Sequence, residues 1–355
     1  MKADQLQTVK VNGLEFSLPL HFSQMRPLKH NRNSVCAAYD EKNQRWVAVR
    51  KHCAVFEQLR EAEGAFRELS FLYTHRHQNI AEIFFAFSPD SSIAEFETFY
   101  TVTELLEDSL ADLKVNGDHK RISHVAYQLL SVVESAHNAG INMLELTSST
   151  VGVREDGTIG VHTFGELGKS PDDLDRENDC LYNRFFQAPE IIMNMSPDEK
   201  ADMFYIGCTL AHLINGKILF SGRNFSKQWN HIVNTLGTPT REFYNRASDS
   251  IKGFISGVSA PPKPAEEIIP DQGFDSSTEQ GNVTASAGRS LVIRLLKVDP
   301  SERISVQEAL ADPYLQMWNS NKSTGITQFQ IEDLSTINEW KEKLFGLVGK
   351  LEKQL

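Results

Sequence analysis

Residues 143–165, which decide the fold, read Met-Leu-Glu-Leu-Thr-Ser-Ser-Thr-Val-Gly-Val-Arg-Glu-Asp-Gly-Thr-Ile-Gly-Val-His-Thr-Phe-Gly. Near the middle stands Asp156-Gly157, a strong two-residue signal for a tight turn between antiparallel strands. We therefore predict a short β-hairpin with these two residues at its tip. The functional expectations depend on the residues before and after that hairpin, 143–150 and 163–165.

The composition predicts a soluble globular protein of two domains or lobes. A chain of 355 residues is longer than one ordinary hydrophobic core supports. The fractions of hydrophobic and charged residues, 40% and 23%, are typical of globular proteins. We expect neither a secretory signal nor a membrane-spanning stretch. The net charge of −11 argues against nucleic-acid binding, which needs a basic surface.

The four cysteines (Cys36, Cys53, Cys180 and Cys208) have no paired spacing. This pattern favours a reducing compartment and argues against a disulfide framework or a zinc site. We therefore expect an intracellular protein of the cytoplasm, the nucleus or both, with no nucleic-acid or membrane partner.

The N-terminal part predicts a β-sheet and one helix. Residues 34–40 and 46–50 have the pattern of two antiparallel strands, and residues 61–73 have helical spacing. Side chains alternate along a strand, so Arg50 and Lys51 point to opposite faces. The preceding turn, 28–33, contains no glycine and is poorly suited to close backbone approach to phosphates. Further upstream, Val9 to Phe16 is predicted to be one short strand-like piece.

Three later stretches complete the pattern: Ala188-Pro-Glu190, Ala201-Asp-Met-Phe-Tyr-Ile-Gly-Cys208 and Asp299-Pro-Ser-Glu-Arg303. Together with residues 143–165 they resemble the catalytic part of a protein kinase. In that family His-Arg-Asp-Leu-x-x-x-Asn is followed by a hairpin and Asp-Phe-Gly. Leu146, Phe164 and Gly165 match the family pattern.

Further stretches resemble the stress-activated branch of the mitogen-activated protein kinases, over roughly residues 25–345. They are Ser34-Val-Cys-Ala-Ala-Tyr-Asp40, Phe220-Ser-Gly222, Leu236-Gly-Thr-Pro239, Pro313-Tyr-Leu315 and Ile337-Asn-Glu-Trp-Lys341. The resemblance implies an α+β fold of the two-lobed protein-kinase type, with a β-rich N-lobe and a mainly helical C-lobe. The implied divisions are an N-terminal extension (1–23), the N-lobe (24–104), the C-lobe (105–318, with an insert at about 253–288) and a C-terminal extension that packs on the N-lobe (319–355).

The resemblance also locates the catalytic positions, and their chemistry does not match. Arg50 stands at the nucleotide-anchoring lysine, while Glu145 and Thr147 stand at the catalytic-loop Asp and Lys. Thr150 and Thr163 replace the two magnesium ligands. Phosphoryl transfer depends on these charges, and hydroxyl groups are weak ligands for a hard divalent cation. We expect no efficient catalysis, no metal site, and weak or absent binding of ATP and Mg²⁺.

Other positions keep the family's structural residues. The resemblance implies an ion pair between Arg50 and Glu68, a second between Glu190 and Arg303, and a buried Asp202. Four hydrophobic spine positions are Leu72, Ile83, Met143 and Phe164, and they imply a permanently closed, active-like shape held without phosphorylation. A vestigial nucleotide pocket would be lined by Val35, Ala48, Thr103, Glu104 and Leu105.

The regulatory positions differ as well. The family's Thr-x-Tyr motif aligns with Asn178-Asp179-Cys180, which has neither phosphate acceptor. The surrounding acidic loop is either a permanent phosphate mimic or an ordinary solvated segment. Glu155-Asp156 matches the acidic pair beside the docking groove, and a plain hairpin turn is the alternative. The second acidic docking patch reads Asn319-Ser-Asn-Lys322, which implies weakened or altered recognition of basic docking peptides.

We predict the first of three functions, and the other two are alternatives. The first is a catalytically inactive pseudokinase that regulates, scaffolds or competes within an intracellular stress cascade. Its partners would be other kinases or substrates of that cascade, bound through the docking groove. The second is an atypical Ser/Thr protein kinase that uses Arg50, Glu68 and Glu145 with an unusual metal arrangement. The third is a nucleotide-binding switch without phosphoryl transfer. The oligomeric state stays open.

Overall fold

The computed structural model describes residues 5–28, 34–162, 181–255, 257–318 and 334–353. The chain divides into two compact units. Unit 1 takes its described residues from 5–109, 152–162 and 334–353, and unit 2 takes them from 110–151, 181–255 and 257–318. Several predicted positions lie outside the described residues: Thr163, Phe164, Asn178, Asp179, Cys180, the loop 29–33 and the patch 319–322.

The described part of unit 1 begins with a β-hairpin of two antiparallel strands, β1 (Leu6–Val11) and β2 (Leu14–Pro19). Its turn, Asn12-Gly13, has φ values of +50° and +82°. Asn and Gly are the residues that adopt this left-handed conformation at least cost. The prediction of one strand-like piece from Val9 to Phe16 is therefore wrong, because it runs through this turn.

The hairpin packs on a five-stranded antiparallel sheet, whose strand order is β3-β4-β5-β7-β6. The strands are β3 (Phe22–Pro27), β4 (Val35–Asp40), β5 (Arg45–His52), β6 (Ile83–Phe87) and β7 (Phe99–Glu104). Alternate residues of each strand face the hairpin. The core between the two layers contains Val11, Phe16, Leu18, Phe22, Cys36, Ala38, Val47, Val49, Phe85, Phe87, Tyr100 and Val102, all at most 5% exposed.

The hairpin predicted around Asp156-Gly157 is present in the structure. A second sheet has the order β10-β9-β8, formed by β8 (Asp108–Ser109), β9 (Val151–Val153) and β10 (Ile159–Val161). Gly157 has a φ of +83°, which explains the need for glycine at the tip. Residue Ile80 forms an isolated parallel bridge with Val161, so the segment before β6 extends this sheet.

The described α-helices are, in chain order, α1 (Leu59–Thr74), α2 (His119–Asn138), α3 (Leu181–Arg184), α4 (Pro189–Ile192), α5 (Glu199–Asn215), α6 (Phe225–Leu236), α7 (Arg241–Asn245), α8 (Asp249–Ile255), α9 (Ala265–Ile268), α10 (Ala285–Leu295), α11 (Val306–Leu310) and α12 (Ile337–Glu352). Short 3₁₀ segments occur at Asp271–Gly273, Ser276–Thr278, Pro300–Glu302 and Pro313–Trp318. None of the described helices is long and apolar enough to cross a membrane.

Helix α12 belongs to unit 1, where it packs on α1. A capping box between Thr336 and Glu339 starts the helix. One turn later, Trp340 is 1% exposed and its ring lies 5.4 Å from that of Phe66 in α1. The C-terminal helix therefore completes the hydrophobic cover of α1.

Helix α5 is the centre of unit 2. It begins after Asp198, whose side chain accepts a hydrogen bond from the Lys200 N–H, and ends at Gly216 with a φ of +65°. Thirteen of its residues are buried, including Asp202 at 0% exposure. A helix buried on most sides forms the interior of its unit, and it supports the loop 143–150.

Candidate functional site

Strand β5 places Arg50 beside helix α1, where it forms an ion pair with Glu68. Arg50 Nη1 lies 2.7 Å from Glu68 Oε1, and the two side chains are 21% and 12% exposed. The next residue, Lys51, points to the other face of the sheet and donates through Nζ to the backbone carbonyl of Glu15, at 2.8 Å. Lys51 therefore does not substitute for an anchoring lysine, and the guanidinium of Arg50 is held by a carboxylate.

The predicted pocket residues of unit 1 share one face of the sheet. Val35 lies opposite Arg50, and Ala48 lies opposite Thr103, in the registers of β4 with β5 and of β5 with β7. Directly opposed residues of antiparallel strands point the same way. Val35, Ala48 and Thr103 are 4%, 9% and 7% exposed, whereas Leu105 is half-buried.

A polar cluster centred on Arg154 lies at the end of β7, and the sequence predictions missed it. Arg154 Nε donates to Glu104 Oε2 at 3.0 Å, and Nη2 donates to Glu104 Oε1. Nη1 donates to the carbonyl oxygens of Gln78 at 2.9 Å and Ile159 at 2.7 Å. One guanidinium thus ties together the end of β7, the loop before β6 and the β9–β10 hairpin. Fifty residues separate Arg154 from Glu104, and no local pattern signals such a pair.

The loop 143–150 in unit 2 uses its threonine hydroxyls internally. Thr147 and Thr150 are 0% and 6% exposed. The Thr150 hydroxyl donates to the carbonyl oxygen of Glu145 and accepts from the Thr147 N–H at 2.9 Å. Thr147 Oγ1 lies 3.1 Å from Thr150 Oγ1 and accepts from the Thr150 N–H at 3.2 Å. The hydroxyl at the predicted metal-ligand position therefore holds the loop closed.

Asp202 anchors the beginning of the same loop. Its Oδ2 accepts from the N–H of Met143 at 2.8 Å, and its Oδ1 accepts from the N–H of Leu144 at 2.6 Å. Leu144 has a φ of +52°, an uncommon conformation for a branched residue, so these bonds hold a strained backbone. His137 Nε2 lies 2.9 Å from Asp202 Oδ2 and was not predicted.

Two further residues of α5 fix the middle of the loop. Thr209 Oγ1 donates to the Leu146 carbonyl oxygen at 2.7 Å. His212 Nδ1 lies 2.7 Å from Ser148 Oγ, and burial lowers the pKa of this histidine. The loop is therefore positioned by hydrogen bonds from one helix and by its own side chains.

The second predicted ion pair lies deep in unit 2. Arg303 Nη1 and Nη2 lie 2.8 Å and 3.0 Å from the two carboxylate oxygens of Glu190. The two side chains are 0% and 3% exposed. Arg303 Nε also donates to the Lys297 carbonyl at 3.0 Å, so the buried charge is paired and hydrogen-bonded.

The remaining predicted residues are distributed between the units. The described spine positions are buried: Leu72 and Ile83 in unit 1, at 2% and 3% exposure, and Met143 in unit 2, at 0%. Of the acidic docking pair, both members are exposed. Asp156 Oδ1 accepts from the N–H and the hydroxyl of Thr158, at 2.9 and 2.7 Å, and these bonds lower its pKa. Asp156 thus stabilises the turn.

These features define a class of protein: one unit formed by β-sheets with the helices α1 and α12, and a second, helical unit built around a buried helix that supports the loop 143–150. The sequence profile of the protein kinase domain matches residues 31–315, well over half of the chain. The chain belongs to the protein kinase family. The predicted α+β kinase fold, with a sheet-rich N-terminal part and a helical C-terminal part, is confirmed.

Membership in this family implies ATP and a divalent metal ion. Of the two predicted metal positions only Thr150 is among the described residues, and its hydroxyl does not fit a metal ligand. The Thr150 hydroxyl is bonded to the backbone carbonyl oxygen of Glu145. A hard cation prefers carboxylate or free carbonyl oxygens. Within the described ranges no three His, Cys, Asp or Glu side chains are grouped so that they could hold a metal ion.

Proposed function

We propose that this kinase-family protein is a pseudokinase of the mitogen-activated type that works by binding other proteins. The observation that carries the proposal is the closed hydroxyl network of Thr147 and Thr150. In a catalytic kinase the corresponding residues contact the metal ion and the transferred phosphoryl group. Here the two hydroxyl groups form hydrogen bonds with each other and with backbone groups of the loop.

The state of Arg50 supports the same proposal. A guanidinium is planar and pairs well with a carboxylate, whereas a compact ammonium suits a phosphate cradle better. Arg50 keeps the ion pair with Glu68 that orders α1 against the sheet. The pair therefore holds α1 against the sheet. No lysine is available for the phosphates at this position, because Lys51 points to the opposite face.

The proposed role is that of a regulator, scaffold or competitor in a stress-activated kinase cascade, in the cytoplasm or nucleus. Its support is the set of stretches that resemble this branch, such as Leu236-Gly-Thr-Pro239 and Pro313-Tyr-Leu315. The proposed partners are kinases or substrates of the cascade. Glu155 is the better candidate for contact with them, because the Asp156 carboxylate is bonded within its own turn.

A thermal-shift titration with ATP tests this function. A ligand that binds the folded state raises its stability and therefore its melting temperature. Because we propose that ATP does not bind, we expect no change in melting temperature with ATP alone, with ATP and Mg²⁺, or with ATP and Mn²⁺. A metal-dependent shift would favour the atypical kinase, and a metal-independent shift the nucleotide switch. Transfer of labelled phosphate to a substrate by the wild-type protein but not by Glu145→Ala would overturn the proposal.

A further inference from the structure

The end of strand β7 is tied up in internal contacts. Thr103 Oγ1 donates to the Glu104 carbonyl oxygen at 3.3 Å. The Glu104 N–H donates to the Glu82 carbonyl at 3.0 Å, and the Glu104 carboxylate is held by Arg154. The backbone and side chain of Glu104 are therefore both engaged within unit 1. This is the edge at which the predicted nucleotide pocket would present polar groups to a base.

Leu106, two residues further on, is seated against two glycines of the β9–β10 hairpin. A Cβ atom built on Gly152 would lie 2.5 Å from Leu106 Cβ, and one built on Gly160 would lie 2.5 Å from Leu106 Cδ1. Neither glycine is among those with positive φ, so backbone conformation does not require glycine at either position. At Gly152 the lack of space requires glycine, because a methyl group would collide with the Leu106 Cβ, which cannot turn away. At Gly160 the collision is with the end of the leucine side chain, so a methyl group there would displace Leu106 Cδ1.

We propose that Leu106 fills the floor of the predicted base pocket from within the chain, and that the Glu104–Arg154 ion pair holds it there. The segment 103–106 is then ordered without a nucleotide, so a partner-binding state of the protein does not depend on ATP. The statement about the partner-binding state rests on the proposed function, whereas the position of Leu106 does not. The excluded ligand is a planar purine base.

The first test compares the full-length wild-type protein with Leu106→Ala in a thermal-shift assay with free adenine. Removal of the side chain leaves the space above Gly152 and Gly160 unfilled, where the proposal places the ring of a purine base. We expect adenine to raise the melting temperature of Leu106→Ala and to leave the wild-type unchanged. Leu14→Ala, which removes a half-buried leucine of β2 outside the predicted pocket, is the matched control and should not respond. An equal shift in the wild-type, or a folded Leu106→Ala without any shift, overturns the proposal.

The second test is a double-mutant cycle between Leu106 and Gly152. Gly152→Ala alone should lower the melting temperature, since the new methyl group meets Leu106. Gly152→Ala combined with Leu106→Ala should lose less than the sum of the two single losses. Additive losses would show that the leucine is not seated on the glycine. If Leu106→Ala does not fold, Leu106→Val replaces it in both tests.

The two proposals fail in different experiments. A rise in the melting temperature of the wild-type protein with adenine would overturn the proposal that Leu106 fills the base pocket. It would not bear on phosphoryl transfer. Transfer of labelled phosphate would overturn the pseudokinase, whatever the adenine titrations show.

Discussion

Thr150→Val tests whether the hydroxyl at the predicted metal position is a structural group. Valine has the same shape as threonine, so the substitution removes the hydrogen bonds and little else. The Thr150 hydroxyl donates to the Glu145 carbonyl and accepts from the Thr147 N–H, and the residue is 6% exposed. Loss of a buried hydrogen bond costs about 1 kcal/mol, and a buried group left without a partner costs about 1–3 kcal/mol.

The Thr147 N–H and the Glu145 carbonyl keep a second bond, to each other, at 2.9 Å, so neither group is left entirely without a partner. We therefore expect Thr150→Val to lower the free energy of unfolding by about 2 kcal/mol, at about 1 kcal/mol for each of the two hydrogen bonds lost, measured by urea unfolding. Ser149→Ala is the matched control. Its hydroxyl is half-buried and its contact is with Thr147 Oγ1, at 3.1 Å, so the loss should stay below about 1 kcal/mol. Equal stability of the two variants would refute the reasoning.

Three further predictions concern stability. Glu190→Gln leaves the Arg303 guanidinium buried without its counter-charge and should cost about 3–5 kcal/mol in urea unfolding, part of which an added Arg303→Met recovers; no loss on Glu190→Gln would contradict this. Burial lowers the pKa of His77 from 6.5 to about 4, so the unfolded chain binds the proton more readily. The contribution of the neutral His77 to the free energy of unfolding is fully present above pH 6.5, and up to about 3 kcal/mol of it is lost as the pH approaches 4. Urea unfolding at neutral and acid pH should show that His77→Gln loses less stability on acidification than the wild-type protein; an equal loss in both would exclude this histidine as the cause. Gly222→Ala places a Cβ 2.1 Å from a backbone nitrogen of α6 and should prevent stable folding, whereas Gly349→Ala meets nothing within 4 Å and should add about 0.5–1 kcal/mol in thermal unfolding; similar melting temperatures would contradict the comparison.

The parts of the site that could be predicted from the sequence depend on short-range rules. Strand alternation separates Arg50 from Lys51, and the structure shows Lys51 bonded to the β1–β2 hairpin on the opposite face. The two ion pairs were predicted from the family resemblance, which supplies long-range partners that no local pattern contains. The MAP-kinase branch and the loss of catalysis stay predictions.

The parts that could not be predicted depend on three-dimensional packing. The sequence suggests that Thr150 is a weak metal ligand, but it does not show that the hydroxyl turns back to the Glu145 carbonyl. Arg154 pairs with Glu104, which is 50 residues away in the sequence. Leu106 packs on Gly152 and Gly160, a contact that only the three-dimensional structure shows. The Asn12-Gly13 turn is different, since its two-residue signal is readable in the sequence.

The position of α12 has a consequence for biosynthesis. The sheet of unit 1 and helix α1 leave the ribosome early, but Phe66 receives its cover from Trp340 only after more than two thirds of the chain has followed. Domains generally acquire their structure in the order of synthesis. Unit 1 departs from this order, because the face of α1 that carries Phe66 stays uncovered until α12 has been synthesised.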